Sequence, residues 1–376
     1  MIPPHEKLVA RLAQAGYLPS HWRPSFEHVE RHRFLPDEII LPDGTTLDRH
    51  AASDQWLEAA YDDTQIITQI DDGAEDGTGY PTSSASMPSI VADMLAKLDV
   101  TPGMHVLEVG TGTGFTSALL SHRLGDDAVT TIEVDPVVAE QARVHLLGAG
   151  FVPLVVTGDG TQGWPARGPY DRVISTAAVK RVPYHWIAQA QPCGRILTPW
   201  GNAFHNGVLA DLQVGSHGTA SGRFGGNLAF MWVRDQRTPR QVVETHVSDS
   251  HEFRVSRTEL YPQEPLSFDA SFAIGLHMPT VLNRIEFADG EHDPRFVVYL
   301  VDPDSGSWAS WHVHPAETSH EVRQHGPRQL FREFEAAYQW WIGNDRPTAP
   351  RFGMTVSANH QLMWLDEPTN IIASTL

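Results

Sequence analysis

Between about residues 88 and 235 the apolar positions switch repeatedly between two periods. Ile90 to Leu98, Thr116 to Leu124 and Val137 to Leu147 space their apolar side chains for one face of a helix. Between them lie short apolar runs: His105-Val-Leu-Glu-Val109, Val129-Thr-Thr-Ile-Glu133 and Pro153-Leu-Val-Val-Thr157. Arg172-Val-Ile-Ser175 and Arg195-Ile-Leu-Thr198 complete the series. Runs of this length alternating with helices predict an α/β doubly wound, Rossmann-like parallel sheet with helices on both faces.

The flanks read differently. Leu8, Leu12 and Ala15 recur at helical spacing and Gly16 is a plausible stop, so residues 5–50 are expected to be a helix followed by an arm. Residues 61–87 are rich in Asp, Gly, Thr and Ser and read as a loop, a candidate cover over a site. After about 240, Arg284 to Phe287, Arg295 to Val301 and Phe352 to Val356 resemble antiparallel strands, interrupted by a helix near Arg328 to Trp341. The expected division is therefore 1–87 for helix, arm and active-site loop, 88–238 for the sheet domain, and 239–376 for a smaller α+β domain. That last region is dense in tryptophan, and its Trp340-Trp341 pair reads as core or interface rather than a ligand cage. His312 and His314 share a strand face but lack a convincing third ligand, so no metal is expected.

Composition narrows the partners. Lys and Arg total 27 against 46 Asp and Glu, a formal charge of −19, which disfavours nucleic acid and anionic membrane. An anionic substrate would therefore need cations gathered locally at its site. The N-terminus lacks a secretory plan and no run reaches the ~18 apolar residues of a span, so a cytoplasmic protein is expected. One cysteine, Cys193, permits no internal disulfide and reads as a small packed residue. Nothing in the sequence assigns an oligomeric state.

The chemistry concentrates at three strand ends. Val106-Leu-Glu-Val-Gly-Thr-Gly-Thr-Gly-Phe115 runs a strand into Gly110, Gly112 and Gly114 and then into a helix, a turn that lets a ligand lie against backbone. Its Gly-x-Gly-x-Gly spacing differs from the dinucleotide fingerprint. Glu133 ends the next strand about 20 residues later, where an acid accepts from ribose hydroxyls, with Asp135 as its rival. Thr157-Gly-Asp-Gly160 ends the third, with Asp159 placed to accept from an adenine amino group and Gly160 permitting close approach; an Asp-Gly turn is the plainer reading.

The stretch Val106 to Gly201 resembles the protein-L-isoaspartate O-methyltransferase family. The glycine run matches its first motif, and Gly158 to Pro165, Pro169-Tyr-Asp171 and Ser175 to Pro183 match later ones. Val29 to Pro36 and Tyr61-Asp62 are similar to its upstream arm. The resemblance implies a class I methyltransferase fold holding S-adenosyl-L-methionine, with S-adenosyl-L-homocysteine as product. It implies cofactor contacts from Glu108, Gly110, Thr111, Gly112, Gly114, Glu133, Val134, Asp159, Gly160 and Thr176. It implies a peptide or protein substrate whose Asp or isoaspartyl carboxylate is methylated, with Ser84, Arg31, His32 and Ala177 beside it. The family's Thr-Ile-Ser-x-Pro motif corresponds to Ser84-Ala-Ser-Met-Pro88, which makes Ser86 the serine that orients the acceptor, although Ala85 replaces the family's Ile. Ser83 and Ser89 compete for that role, and Ser86 capping the following helix is the structural alternative. Arg31, His32 and Arg33 are the cations available to a carboxylate.

The whole chain also resembles the larger methyltransferases that accompany ATP-grasp peptide maturases, through Arg351 to Val356 and Trp364 to Pro368. That likeness implies esterification of an Asp whose ester closes to an aspartimide. General isoaspartyl repair is the alternative. A nicotinamide oxidoreductase and a non-catalytic peptide-binding module with a relic cofactor pocket are alternatives of other classes.

Overall fold

The computed structural model describes residues 3–239, 241–288, 290 and 293–375. The arm opens with helix α1 (Pro4–Gln14), which buries Leu8, Val9 and Leu12, followed by α2 (Arg23–His28). Strands β1 (Glu38–Ile40) and β2 (Thr46–Asp48), helix α3 (Ser53–Ala60), and strands β3 (Ile66–Ile70) and β4 (Pro81–Ala85) complete this region. The four strands form an antiparallel sheet in the order β2-β1-β3-β4. The loop expected over 61–87 is therefore corrected: Ile66 pairs with Ala85 and Ile67 with Ser84. The β-branched Ile66, Ile67, Thr68 and Ile70 favour a pleated backbone despite the polar surroundings.

The central sheet is built as the alternation predicts. Helix α4 (Pro88–Leu98) leads to β5 (Val106–Val109), α5 (Phe115–Leu124), β6 (Val129–Glu133), α6 (Pro136–Ala149), β7 (Leu154–Thr157), β8 (Tyr170–Ser175), α7 (Tyr184–Ala188) and β9 (Ala190–Gly201). Strands β7-β6-β5-β8-β9 are parallel in that order. All four residues of β5 are buried, as expected for a strand covered on both faces. Helix α6 shows its local code plainly: Asp135 caps it by accepting from the Val137 and Val138 N–H groups, Pro136 opens it, and Gly150 ends it in the left-handed conformation. Strands β10 (Asn206–Val214) and β11 (Ala220–Gly225) then turn the sheet antiparallel.

The remaining elements are α8 (Val242–His246), β12 (Arg254–Thr258), α9 (Phe268–His277), β13 (Leu282–Phe287), β14 (Phe296–Asp302), β15 (Ser307–Val313), β16 (His320–His325), α10 (Leu330–Gly343), β17 (Phe352–Val356), β18 (Gln361–Leu365) and β19 (Ile371–Thr375). A five-stranded antiparallel sheet runs β12-β16-β15-β14-β13. Strands β17, β18 and β19 instead extend the central sheet to ten strands, with Ala220 of β11 opposite Val356 of β17. The sheet thus crosses the boundary expected at 238. One continuous core joins Val173 and Ile196 of the parallel strands to Phe272, Trp311, Phe334 and Phe352. Trp341 is buried in that core and donates to the Pro347 carbonyl at 2.9 Å, while His312 bonds Ser310. Cys193 is a correction: it is exposed, at φ +66° within β9, rather than packed. Among the described residues no helix is long and apolar enough to cross a membrane.

Candidate active site

A cavity of about 400 Å³ opens at the carboxyl ends of β5, β6, β7 and β8. That is where ligands sit in open α/β sheets. Its floor is the turn after β5. Gly110 has φ +90°, and a Cβ there would lie 2.8 Å from Thr176 Oγ1. The Thr176 hydroxyl donates to the Gly110 carbonyl, and Thr111 Oγ1 bonds Thr131 Oγ1 at 2.7 Å, so the turn is held from both sides.

Glu133 sits on the next strand end, 9% exposed, and faces the cavity. Its two oxygens accept from the Gly112 N–H at 2.9 Å and the Asp135 N–H at 3.1 Å. Burial pushes its pKa up, while these N–H groups oppose the shift. Asp135, the rival acid, is committed elsewhere: Oδ1 caps α6, and Oδ2 pairs with Arg234 at 3.1 Å. Asp159 accepts from the Thr161 N–H at 2.9 Å, and its neighbour Gly160 packs so closely that a Cβ would lie 2.5 Å from Val109 Cγ1. Val134, Thr176 and Ala177 complete this half of the lining.

Two expected cofactor contacts are corrected. Glu108 is fully buried beneath the turn, accepts from the Ser117 hydroxyl, and does not line the cavity. Desolvation raises its pKa to about 7. Gly114 likewise faces away: its missing Cβ leaves room for Leu146 of α6, whose Cγ would be 3.1 Å off.

The opposite wall comes from β4 and its exit. Ser84 and Ser86 line the cavity, and within the described residues neither hydroxyl has a hydrogen-bond partner. Ser83 also lines it, but its hydroxyl accepts from Thr68 Oγ1 at 3.2 Å, and Ser89 is buried with its N–H donating to Asp63. Ser86 does not cap α4, whose N-cap is Met87 with no side-chain bond.

Arg31 is the largest correction. It is wholly buried rather than presented to a substrate. Nη1 donates to the carbonyls of Ala60 (2.9 Å) and Asp62 (3.3 Å), and Nη2 to those of Thr64 (3.0 Å), Ala85 (3.2 Å) and Ser86 (3.1 Å). It therefore fixes the backbone that carries the serines. Desolvation lowers its pKa to about 10, which still leaves it charged near neutrality. His32 bonds the Tyr61 hydroxyl and Arg33 the Gly148 carbonyl, and neither lines the cavity. The cations that do line it, Arg234 and Arg237, were not anticipated. They follow Phe230-Met-Trp232, which roofs the site because β-bridge bonds tie Ala178 to Met231 and Val233. Both arginines pair with Asp72. Nothing local in the sequence marks them, because they lie at least 120 residues from the glycine turn.

Residues 4–231 match the family model described as protein-L-isoaspartate(D-aspartate) O-methyltransferase. The chain belongs to that family. A Hyperthermus butylicus protein-L-isoaspartate O-methyltransferase is 34% identical over 209 residues, 53% of this chain and 75% of the relative. One from Staphylothermus marinus is 36% identical over 171 residues, 43% of this chain and 71% of the relative. A solved protein-L-isoaspartate O-methyltransferase shares the fold, with a TM-score of 0.56 at 20% identity, over 96% of this chain and all of that one. This methyltransferase is accordingly a class I, S-adenosylmethionine-dependent enzyme. The cavity suits that cofactor: its volume lies within the usual range for small-molecule sites, and a buried carboxylate at one strand end and a second at the next offer acceptors to sugar and base.

Proposed function

We propose that the protein methylates a side-chain carboxylate of an aspartyl residue in a ribosomally made peptide, and that the ester then closes to an aspartimide. The observation that carries the reading is the pairing, across one cavity, of a nucleoside-type wall at Gly110, Glu133, Asp159 and Gly160 with two free hydroxyls, Ser84 and Ser86. When bound, the sulfonium cofactor supplies an electrophilic methyl carbon. A carboxylate is already ionised near neutral pH, with an ordinary pKa of about 3.9, so the protein needs no general base. What its residues must do is orient and dry the nucleophile. The Ser86 hydroxyl donates one hydrogen bond to the acceptor carboxylate without protonating it, and Ser84 stands beside it. Arg31 holds the Ser86 backbone in register. Met87, Ile90, Met231 and Trp232 give that end an apolar wall, which limits competing water. Fixing the reactants in this way can supply about 7–11 kcal/mol of barrier reduction. In the product, attack by the following backbone nitrogen on the ester carbonyl expels methanol and forms the ring.

Maturation rather than repair is supported by the likeness of the C-terminal motifs to the methyltransferases that accompany ATP-grasp maturases. Those motifs build the β17–β18 hairpin, where Arg351 and Asp366 form a two-bond ion pair at 2.8 and 2.7 Å. Repair is the second reading, favoured by the relatives' names and by the solved family member that covers nearly the whole chain. Mass spectrometry of linear, cyclised and isoaspartyl peptides incubated with enzyme and S-adenosylmethionine tests both. Gain of 14 Da followed by net loss of 18 Da on an ordinary Asp supports maturation. Methylation confined to isoaspartyl peptides supports repair. No transfer to any of them, with S-adenosylhomocysteine still bound, supports a relic pocket.

A further inference from the structure

We infer that a groove opening off this cavity binds an acidic stretch of the peptide that carries the acceptor. The inference rests on the carboxyl-methyltransferase reading above. The groove, of about 540 Å³, is walled by Lys180 to His185, by Asp235 to Arg237 and by the turn Ser357 to Gln361 between β17 and β18. Thr161, Asp235 and Arg237 line both it and the cavity, so a peptide whose carboxylate sits by Ser86 has a continuous path into it.

Its charge runs against the rest of the molecule. Lys180, Arg181 and Arg237 line it, with His185 and His360, against a single carboxylate among the described residues, Asp235. In a chain of net charge −19 this is an unusual concentration of cations. Arg237 is paired with Asp72. Lys180 and Arg181 are not: among the described residues neither has a carboxylate partner. The Lys180 ammonium donates to Thr238 Oγ1 at 2.9 Å and lies 5.2 Å from the centre of the Trp232 ring, and Arg181 is exposed.

The walls are also fixed in advance. The Gln236 side-chain oxygen accepts from the Lys180 and Arg181 N–H groups at 2.7 and 2.9 Å. The Gln361 amide exchanges two bonds with Val182, accepting from its N–H at 3.1 Å and donating to its carbonyl at 2.9 Å. Two amides thus tie the turn after β8 to the loop at Gln236 and to the C-terminal hairpin. A ligand entering such a groove spends little free energy on ordering it. Carboxylates flanking the acceptor are the groups that match two unpaired cations.

The test is steady-state methyl transfer by the full chain to two synthetic peptides sharing one Asp-Gly acceptor. One carries Asp and Glu at the flanking positions and the other Asn and Gln. The expected KM is about tenfold lower for the acidic peptide at low salt, with the gap closing as screening rises. In Lys180→Gln/Arg181→Glu the acidic peptide's KM rises about tenfold, with kcat within about twofold, the neutral peptide's KM unmoved and S-adenosylhomocysteine affinity unchanged. Arg181→Gln alone, at an exposed side chain, reproduces part of the rise without risk to folding. Equal KM values for the two peptides, or variants that raise both alike, overturn the inference and leave carboxyl methylation standing. Transfer to neither peptide overturns the carboxyl-methyltransferase reading, and this inference falls with it.

Discussion

Replacing Arg31 by lysine keeps the charge but changes the geometry of donation. The guanidinium serves five backbone carbonyls from two terminal nitrogens. A lysine has three N–H bonds on one nitrogen and cannot reach both groups of carbonyls, so about two of the five lose their partner, and those of Ala60 and Ala85 are buried from water. A buried acceptor left unmade costs about 1–3 kcal/mol, so Arg31→Lys should destabilise by roughly 2–6 kcal/mol. With about 2.1 cal/mol/K of unfolding entropy per residue over 376 residues, that corresponds to a fall in Tm of roughly 3–8 °C in calorimetry. Because two of the carbonyls belong to Ala85 and Ser86, methyl transfer should fall by more than cofactor-product binding does. A Tm within about 1 °C of the parent, or equal losses in product affinity and turnover, would refute the idea that Arg31 sets the serine backbone.

Three further outcomes follow from the same geometry. Ser86→Ala should lower kcat/KM about 10- to 100-fold, the worth of one hydrogen bond to a charged acceptor, while calorimetric affinity for S-adenosylhomocysteine stays put; an unchanged kcat/KM would hand the role to Ser84. Glu133→Ala should weaken S-adenosylhomocysteine binding about 10- to 100-fold by isothermal titration, and affinity equal to the parent's would remove Glu133 from the cofactor wall. Glu108 has a folded pKa of about 7 against an ordinary 4.5, so its contribution to stability is present below about pH 4.5 and lost as pH rises through 7. At about 1.4 kcal/mol per pH unit the loss approaches roughly 3 kcal/mol, and Glu108→Gln should abolish it; urea midpoints for parent and variant that run parallel from pH 4.5 to 8 would contradict the assignment.

The parallel half of the fold was legible because its signals are local. Each strand is an unbroken apolar run, each helix has its own spacing, and the glycines that bend the chain at Gly110 and Gly112 sit directly between them. Glu133 and Asp159 were legible for the same reason, since a strand end fixes where its next residue points. Glu108 and Gly114 misled because adjacency in a motif does not fix facing: residues on opposite faces of β5 and on the far side of the turn touch different neighbours. The strands at Ile66–Ile70 and Pro81–Ala85 escaped notice because their polar side chains line a cavity, so the usual apolar alternation is missing. Arg31 reads from sequence as a cation available to the substrate, because burial of an arginine depends on five carbonyls that only the folded chain assembles. The roof at Phe230–Arg237 and the docking of β17 on β11 are long-range pairings that no short window of sequence records.

That docking has an implication for anyone trimming this enzyme to its shorter relatives' length. A chain cut just past residue 231 would leave the N–H and C=O groups that Ala220–Arg223 turn toward β17 without mates, and by removing Phe272 of α9 it would bare Trp200 and Phe224, which pack against that ring. The shortened protein would offer a ready template for pairing with another molecule of itself. Expression of the minimal catalytic portion should therefore give aggregates rather than a smaller working enzyme, and a useful deletion would have to keep the last three strands.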